Sequence, residues 1–287
     1  MNRNLQCFLS CEAEYDEADI ALFGVPFDGT TSFRPGARFG PAAIRGESFG
    51  LETYSPYCGR DLTDCRIFDG GDLEPPFGNP RRMLALTQEY TARVLEDGKL
   101  PVMLGGEHLI TLGAVRAVLE RYPGLHIIHF DAHTDLRSDY LGEELSHATV
   151  MRQIWKLVGD GRIHQFGIRS GERYEFEFAG AHTDLHPFNL HDFESFLPSL
   201  AGKPVYFSLD LDVLDPSVFC GTGTPEPGGV GFQELLDAVL QLHRLNIVGC
   251  DINELSPHYD HSGASTAVAC KIVRELLLQL KGEMENG

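Results

Sequence analysis

The sequence predicts an α/β fold in which a parallel sheet carries helices on both faces. Three observations predict it: short apolar, β-branched runs recur along the chain, segments with helical spacing lie between most of them, and polar clusters follow several of the runs. With 287 residues, 43% of them hydrophobic, the chain is long enough to bury a sizeable core. No linker, repeat or low-complexity tract interrupts it, so we expect a single domain over residues 1–287.

Seven apolar runs predict strands, and a weaker run predicts an eighth. The seven cover residues 20–25, 66–69, 101–104, 126–130, 163–168, 205–209 and 247–250, and the weaker run covers 183–187. Each run is short and mostly apolar, which is typical of strands that are buried on both faces of a parallel sheet.

Helical spacing is clearest in the segment that follows Asn79. Asn79 fits the N-cap position, Pro80 fits the first helical position, and Gly98 ends the pattern. Residues 109–122, 232–245 and 264–280 have the same spacing. We expect a loop over residues 24–45, because the composition of its RPGARFGP stretch favours neither a helix nor a strand.

The charge balance excludes several classes of partner. A net charge of −19 would repel the phosphates of nucleic acids and of anionic membranes. The 7 cysteines are odd in number and scattered, which favours a reducing compartment over a disulfide scaffold. No apolar run suits a signal peptide or a membrane span, so we expect a cytoplasmic protein without membrane or nucleic-acid partners.

Polar clusters follow four of the predicted strands. GGEH at 105–108 and DAHTD at 131–135 follow the strands at 101–104 and 126–130. SLDLD at 208–212 and DINE at 251–254 lie at the ends of two later strands. Ligands of open α/β sheets bind at the carboxyl ends of the strands, so these clusters predict the functional site.

Two of these clusters carry alternating acidic residues. Asp131, His133 and Asp135 are spaced so that an extended chain points all three to one side, and Asp210 and Asp212 repeat the pattern. If the two strand ends are neighbours, four carboxylates converge, and such a group repels itself at neutral pH unless cations are bound.

Charge balance favours two metal ions. Two divalent ions balance the four carboxylates when His108 and His133 are neutral imidazole ligands, whereas one ion would leave the site negative. A ligand set of oxygen and imidazole without thiolate suits Mn²⁺, Mg²⁺ or Fe²⁺ and argues against structural zinc. Two such ions lower the pKa of a bound water, which predicts hydrolysis or hydration.

Other interpretations of the histidines are weaker. Binuclear phosphoesterases also contain an early Asp-x-His, but they add a following Gly-Asp and a Gly-Asn-His, whereas here Gly71-Asp72 precedes the Asp-x-His and Gly-Asn-His does not occur. His126 and His129, which flank the strand at 126–130, are expected to be buried and hydrogen-bonded rather than to bind metal.

Five motifs in order resemble the ureohydrolase family, which includes arginases and agmatinases. They are GGEHLIT at 105–111, FDAHTDLR at 130–137, SLDLDVLDP at 208–216, GTGTPEPGG at 221–229 and DINELSP at 251–257. The resemblance runs from about Pro26 to Pro257. It implies a three-layer α/β/α fold with a parallel, roughly eight-stranded sheet, two Mn²⁺ per chain, and a homotrimer or homohexamer.

The resemblance also implies residue roles. It assigns His108, Asp131, Asp135 and Asp210 to one manganese, and Asp131, His133, Asp210 and Asp212 to the other. Substrate contacts fall to Glu254, which holds the guanidinium, Thr224, which lines the cleft, and His147, the candidate proton shuttle. The implied reaction is attack by a hydroxide bridging both metals, with Asp135 as proton donor to the leaving amine and urea as a product.

Three features bear on the substrate. Arginases have Asn where this chain has Arg137, which argues against arginine. The segment 24–45 resembles agmatinases, and acidic Asp139, Glu143 and Glu144 suit the second cationic end of agmatine. An inward-pointing Arg137 would instead favour a guanidino acid such as 4-guanidinobutyrate. We expect hydrolysis of agmatine to putrescine and urea, with the guanidino acid as the alternative.

A third possibility is a catalytically silent, metal-binding subunit. Its mark would be the loss of a metal ligand, of Glu254 or of His147, and the sequence retains all of them.

Overall fold

The computed structural model describes residues 6–74 and 76–280, and an eight-stranded parallel sheet forms its centre. The strands are β1 (Ile20–Val25), β2 (Ile67–Asp72), β3 (Leu100–Gly105), β4 (His126–Phe130), β5 (Ile163–Ile168), β6 (Asp184–Pro187), β7 (Pro204–Asp210) and β8 (Asn246–Asn253). Their spatial order is β2-β1-β3-β8-β7-β4-β5-β6, and all neighbours are parallel. The predicted fold class is confirmed.

Helices cover both faces of this sheet. They are α1 (Gly40–Ser48), α2 (Pro80–Glu96), α3 (Thr111–Arg121), α4 (Val150–Val158), α5 (Arg173–His182), α6 (Phe193–Phe196), α7 (Phe232–Leu240) and α8 (Ala264–Leu280). On one face α3 packs between α2 and α4, and on the other α8 packs against α1 and α7. The three layers follow from this arrangement.

Successive residues of a strand place their side chains in two separate hydrophobic cores, one on each face of the sheet. Leu22 and Val102 belong to the core beneath α1, α7 and α8, whereas the next residues along, Phe23 and Met103, belong to the core beneath α2, α3 and α4. The alternation is the two-residue period of a strand, and both faces are buried, which explains why the strands are apolar throughout.

The predicted elements match the structure closely. All eight predicted strands are present, and four of them are longer than predicted by two to four residues. In α2, the side chain of Asn79 accepts a hydrogen bond from the backbone N–H of Arg82, and Pro80 is the first helical residue, as predicted. The segment 109–122 opens with a 3-10 turn (His108–Ile110) before α3, and 232–245 ends in another (Leu242–Arg244) after α7.

The expectation of a loop over residues 24–45 is wrong in its last part. A 3-10 turn (Ala37–Phe39) leads directly into α1, which begins at Gly40 and has Pro41 in its first turn. Proline lacks an N–H, but the first turn of a helix has no acceptor for that N–H, so Pro41 costs little there. Burial of Ile44 and the ion pair of Arg45 with Asp69 then hold the helix against the sheet.

Within the described residues, the helices are too short or too polar to cross a bilayer. The single domain over residues 1–287 stays a prediction.

Candidate active site

The four polar clusters meet at one edge of the sheet. They lie at the carboxyl ends of β3, β8, β7 and β4, which are consecutive neighbours in the sheet although far apart in sequence. The structure therefore brings GGEH, DINE, SLDLD and DAHTD together, as the argument from strand ends predicted.

The first group of side chains surrounds one ring nitrogen of His108. Its Nδ1 lies 3.1 Å from Oδ2 of Asp131, 3.3 Å from Oδ2 of Asp135 and 3.3 Å from Oδ2 of Asp210. Nδ1 is buried, yet it makes no hydrogen bond of acceptable geometry with these oxygens. A buried ring nitrogen that faces three carboxylate oxygens without a hydrogen bond of acceptable geometry is an environment that suits a cation.

Hydrogen bonds on the far side of His108 support this interpretation. Its Nε2 lies 2.9 Å from Oγ of Ser208, and that hydroxyl donates to Oδ1 of Asp251 at 2.7 Å. Because Ser208 donates to Asp251, it accepts from Nε2–H, so in the neutral imidazole Nδ1 carries the lone pair that a metal ligand needs. The sequence analysis missed these two positioning residues, although polar Ser208 and Asp251 inside apolar strands were a usable signal.

The second group forms around His133. Its Nδ1 lies 3.1 Å from Oδ2 of Asp212 and 3.4 Å from Oδ1 of Asp131. The two oxygens of Asp131 thus face different groups, which fits the bridging role that the family resemblance implies. Two groups of residues each have one ligand atom per residue within 4.8 Å of the others. The first consists of His108, His129, Asp131 and Asp135, and the second of Asp131, His133 and Asp212.

His129 positions Asp131. Its Nε2 lies 2.8 Å from Oδ2 of Asp131, and the side-chain amide of Gln165 donates to its Nδ1 at 3.1 Å. Because Nδ1 accepts, Nε2 carries the proton and donates it to the carboxylate. The prediction that His129 is buried and hydrogen-bonded is confirmed, and its partner is a predicted metal ligand. The same prediction for His126 is right for the hydrogen bond and wrong for burial, because His126 is only partly buried at the start of β4.

The carboxylates of the site do not share one electrostatic environment. Burial, together with Asp212 and Asp131, raises the pKa of Asp210 well above its usual value. Burial also opposes ionisation of Asp131, but its contacts with His129 and His108 outweigh burial and hold its pKa well below the usual range. Crowded acids of this kind fit divalent cations, whose charge removes the repulsion.

Two site residues have left-handed backbone conformations. Asp135 has φ of 52° and Glu254 has φ of 67°, values that non-glycine residues rarely adopt. The carbonyl of Asp135 accepts from the N–H groups of Met151 and Arg152 at the start of α4, and Oε1 of Glu254 accepts from the N–H of His108 at 2.8 Å. These bonds hold the strained conformations, and strain of this kind is common at functional sites.

Burial and the neighbouring Glu107 raise the pKa of Glu254 well above its usual value. A guanidinium that pairs with Glu254 would therefore bind a carboxylate whose ionised form is otherwise poorly solvated, which strengthens the attraction.

One loop fixes His147 at the edge of the site. The backbone N–H of His147 donates to Oγ1 of Thr30 at 3.0 Å, and its Nε2 lies 3.2 Å from Oγ of Ser32. Thr30 in turn donates to the buried carboxylate of Glu107 at 2.5 Å. The loop approaches so closely that a Cβ on Gly106 would lie 1.9 Å from a backbone oxygen of Phe27. Sequence reasoning missed Thr30, Ser32 and Glu107.

A cavity of about 320 Å³ opens above these groups. Its lining contains the predicted residues His108, His133, Asp135, His147, Asp210, Thr224 and Glu254. Thr224 also donates to Oδ2 of Asp212 at 3.3 Å. Burial lowers the pKa of His147, which favours the neutral imidazole that a proton acceptor requires.

Arg137 and Glu172 are more exposed than the buried metal-ligand candidates of this cavity, and the charge of Arg137 is already matched. Its Nη2 lies 3.4 Å from Oε1 of Glu172, its Nε lies 3.7 Å from Oε2 of Glu175, and its guanidinium lies 4.9 Å from the ring centre of Tyr140. The acidic residues expected to attract a second cation, among them Asp139, do not line the cavity, whereas the unforeseen Glu172 and Glu175 do.

Comparisons with known proteins agree with this geometry. Residues 18–279 match the sequence model of the Arginase family. The agmatinase of Bacillus subtilis (strain 168) is 49% identical over 94% of this chain and 95% of its own length. The guanidinobutyrase of Pseudomonas aeruginosa is 33% identical over 94% of this chain and 89% of its own. The crystal structure of agmatine ureohydrolase of Thermoplasma volcanium superposes with a TM-score of 0.89, at 35% identity, and covers 97% of this chain and 95% of the other.

The chain belongs to the arginase family, and the resemblance drawn from its motifs is confirmed. Members of this family use a binuclear metal centre, and the two groups around His108 and His133 supply the ligand types that such a centre needs.

Proposed function

We propose that this arginase-family chain hydrolyses agmatine to putrescine and urea. The observation that carries the proposal is one cavity lined both by the buried His108, Asp210 and Glu254, its inner end, and by its outer end, which consists of Arg137, the exposed Glu172 and the buried Glu175 that pair with it. The inner end suits a guanidinium, and the outer end suits an ammonium.

The charge of the outer end decides between the two substrate classes. Arg137 is paired with two carboxylates, so the three side chains together carry one negative charge. A carboxylate tail, as in 4-guanidinobutyrate, would have to displace Glu172 or Glu175 from Arg137, whereas an ammonium tail meets a site of opposite sign. The higher identity to an agmatinase than to a guanidinobutyrase supports the same choice.

Two Mn²⁺ ions are proposed as the metals. His108, Asp131, Asp135 and Asp210 would hold one, and Asp131, His133, Asp210 and Asp212 the other. When bound, such ions supply Lewis-acid stabilisation and a water of lowered pKa. Oxygen and imidazole ligands without thiolate suit Mn²⁺.

The chain's own residues supply orientation and proton transfer. Glu254 pairs with the guanidinium and holds its plane over the carboxylates, and Thr224 closes one side of the cleft. Asp135 is placed to take the proton that the attacking water gives up and to deliver it to the amine nitrogen as the bond between that nitrogen and the guanidino carbon breaks. His147, held by Thr30 and Ser32, transfers the further protons that pass between the site and solvent.

The test is urea release from the Mn²⁺-loaded protein with agmatine, arginine or 4-guanidinobutyrate as substrate. We expect kcat/KM for agmatine to exceed that for either other compound at least tenfold. A preference for the guanidino acid would overturn the substrate, and release of no urea from any of the three would overturn the proposed function.

The assembly and location follow the family resemblance and the cysteine pattern. We infer a homotrimer or homohexamer, which light scattering of the metal-loaded protein would test. The thiols of Cys7, Cys11, Cys250 and Cys270 are buried and free, which supports a reducing cytoplasm.

A further inference from the structure

Arg169, the residue directly after β5, makes an unusual set of contacts. Its guanidinium donates to backbone carbonyl oxygens rather than to a carboxylate, with partners in three separate segments. It reaches Asp212 at 2.8 Å, Val213 at 3.1 Å and Glu226 at 2.7 Å. A half-buried cation enclosed by carbonyls in this way joins the segments around it.

The backbone of Arg169 reaches a further segment. Its N–H donates to the carbonyl of Ala132 at 2.8 Å, and the N–H of Ser170 donates to the same oxygen at 2.9 Å. Ala132 lies between Asp131 and His133, two proposed metal ligands. Arg169 is therefore bonded both to the DAHTD segment and to the segment that carries Asp212.

The same two segments also meet through the side chain of Asp212. Its Oδ1 accepts from the N–H of Ala132 at 3.1 Å, and its Oδ2 lies 3.1 Å from Nδ1 of His133. Both distances depend on where the backbone of Asp212 sits relative to Ala132, and Arg169 binds the carbonyl of each. The bond to Glu226 extends this control to the loop that carries Thr224.

A glycine makes room for the guanidinium. A Cβ on Gly229 would lie 2.6 Å from Nη2 of Arg169 and 2.7 Å from the carbonyl oxygen of Val213. The close approach of the 221–229 loop to Arg169 thus requires glycine at this position. The contacts of Arg169 and the absence of a side chain at Gly229 thus support the same close packing, from two different segments.

We propose that Arg169 is a positioning residue that sets the distance between His133 and Asp212, and hence the affinity of the metal site on the His133 side. It also places Thr224 against the substrate cleft. The inference rests on the proposed two-metal function. Lysine cannot replace Arg169. All three N–H donors of lysine are on a single nitrogen, whereas the planar guanidinium of Arg169 has three nitrogens that donate to carbonyls in different directions.

The test measures Mn²⁺ binding rather than activity alone. In Arg169→Lys we expect the weaker of the two binding steps to lose about 10- to 100-fold in affinity, as for other residues that orient metal ligands. The other step, assigned to the His108 side, is expected to change less than threefold. The spin-coupled electron paramagnetic resonance signal of a manganese pair would give way to that of isolated Mn²⁺.

Arg162 offers a matched control at the other end of β5. Its guanidinium donates to one backbone carbonyl, that of Pro123 at 3.0 Å, far from the metal groups in the strand direction. Arg162→Lys is expected to leave both binding steps unchanged. Gly229→Ala, whose Cβ would press on the guanidinium of Arg169 and also on the backbone of Val213 and Asp215, is expected to repeat the selective loss and keeps the test valid should Arg169→Lys fold poorly.

Two results would overturn the proposal: unchanged binding in Arg169→Lys and Gly229→Ala, or equal weakening of both steps, which would indicate general damage to the fold. Measurements on the parent protein distinguish failure of the Arg169 proposal from failure of the proposed function. If the parent binds fewer than two Mn²⁺ and releases no urea, the proposed function fails, whatever the variants do.

Discussion

The sheet carries two clusters of histidine and aspartate, one at each end of its strands. At the carboxyl end, His108 and His133 lie among carboxylates whose oxygens converge on shared points. Near the amino end, the side chains of His126, His164 and Asp184 form a hydrogen-bonded row across three adjacent strands. Its links are 3.0 Å between Nδ1 of His126 and Nε2 of His164, and 3.1 Å between Nδ1 of His164 and Oδ2 of Asp184.

The difference lies in how the polar atoms are used. In this row the linking ring nitrogens of His126 and His164 have one partner each, although Oδ2 of Asp184 also lies 3.3 Å from Nε2 of His186. Burial lowers the pKa of His126, to about 4, and that of His164, so both rings are neutral at pH 7. At the carboxyl end Nδ1 of His108 faces three carboxylates without a hydrogen bond. In residues 6–74 and 76–280, the groups with converging ligand atoms lie at the carboxyl end. Convergence, not residue type, therefore distinguishes a metal centre.

The largest expected effect comes from the residue shared by both metal groups. Asp131→Asn should abolish Mn²⁺ binding and urea release together, because the oxygens of Asp131 face both His108 and His133. Asp184→Asn is the matched control in the other cluster and should leave both quantities unchanged. Equal effects of the two substitutions on metal content would remove the distinction between the clusters.

A second substitution separates metal binding from substrate binding. Glu254→Gln should keep both Mn²⁺ ions but lower kcat/KM for agmatine about 10- to 100-fold, since a charge-assisted hydrogen bond contributes roughly 1.5–3 kcal/mol. Metal analysis and steady-state kinetics on one preparation test this. If the variant hydrolyses agmatine as well as the parent, Glu254 does not hold the guanidinium.

A smaller effect is expected at the outer end of the cavity. Glu172→Gln should lower the preference for agmatine over 4-guanidinobutyrate roughly two- to fivefold, because a partly exposed charge contributes less than about 1 kcal/mol. The preference is the ratio of the two kcat/KM values. Glu177→Gln removes the same charge from the exposed side of α5 and should leave the ratio unchanged. Equal ratios in all three proteins would place the tail elsewhere.

The smallest effect concerns the row of His126, His164 and Asp184 and the pH dependence of stability. His126 has a pKa of about 4 in the fold, against 6.5 for an unperturbed histidine, with burial, His164, Lys203 and Arg162 all opposing its protonation. Between these pH values the unfolded chain binds more protons, so this histidine makes stability fall as the pH drops from 6.5 towards 4.

His126→Asn removes that contribution. The thermal midpoint of the parent should therefore decrease more steeply than that of the variant as the pH falls through this window, and the two curves should run parallel above it. A difference between parent and variant that does not change with pH would show that the fold does not lower the pKa of His126.

The sequence predicted those parts of the fold and site that depend on local order. The strands and α2 were predicted from apolar runs and from Asn79 and Pro80, and the ligands from their place at strand ends. The helix α1 was missed because Gly40 and Pro41 are poor helix formers in isolation, and its stability comes from packing of Ile44.

The remaining site residues depend on tertiary contacts. Ser208 and Asp251 are recognised as partners of His108 only once β7 and β8 are known to be neighbours. The environment of Arg137 depends on Glu172 and Glu175, which belong to a segment more than thirty residues away along the chain. No local pattern contains that information.

The most direct test of the central claim is anomalous diffraction at the manganese absorption edge from Mn²⁺-soaked crystals of the parent protein. We expect two peaks at the carboxyl end of the sheet, one beside His108 and one beside His133, with Asp131 between them, and none beside His126. A single peak, or none at this edge, would contradict a two-metal centre.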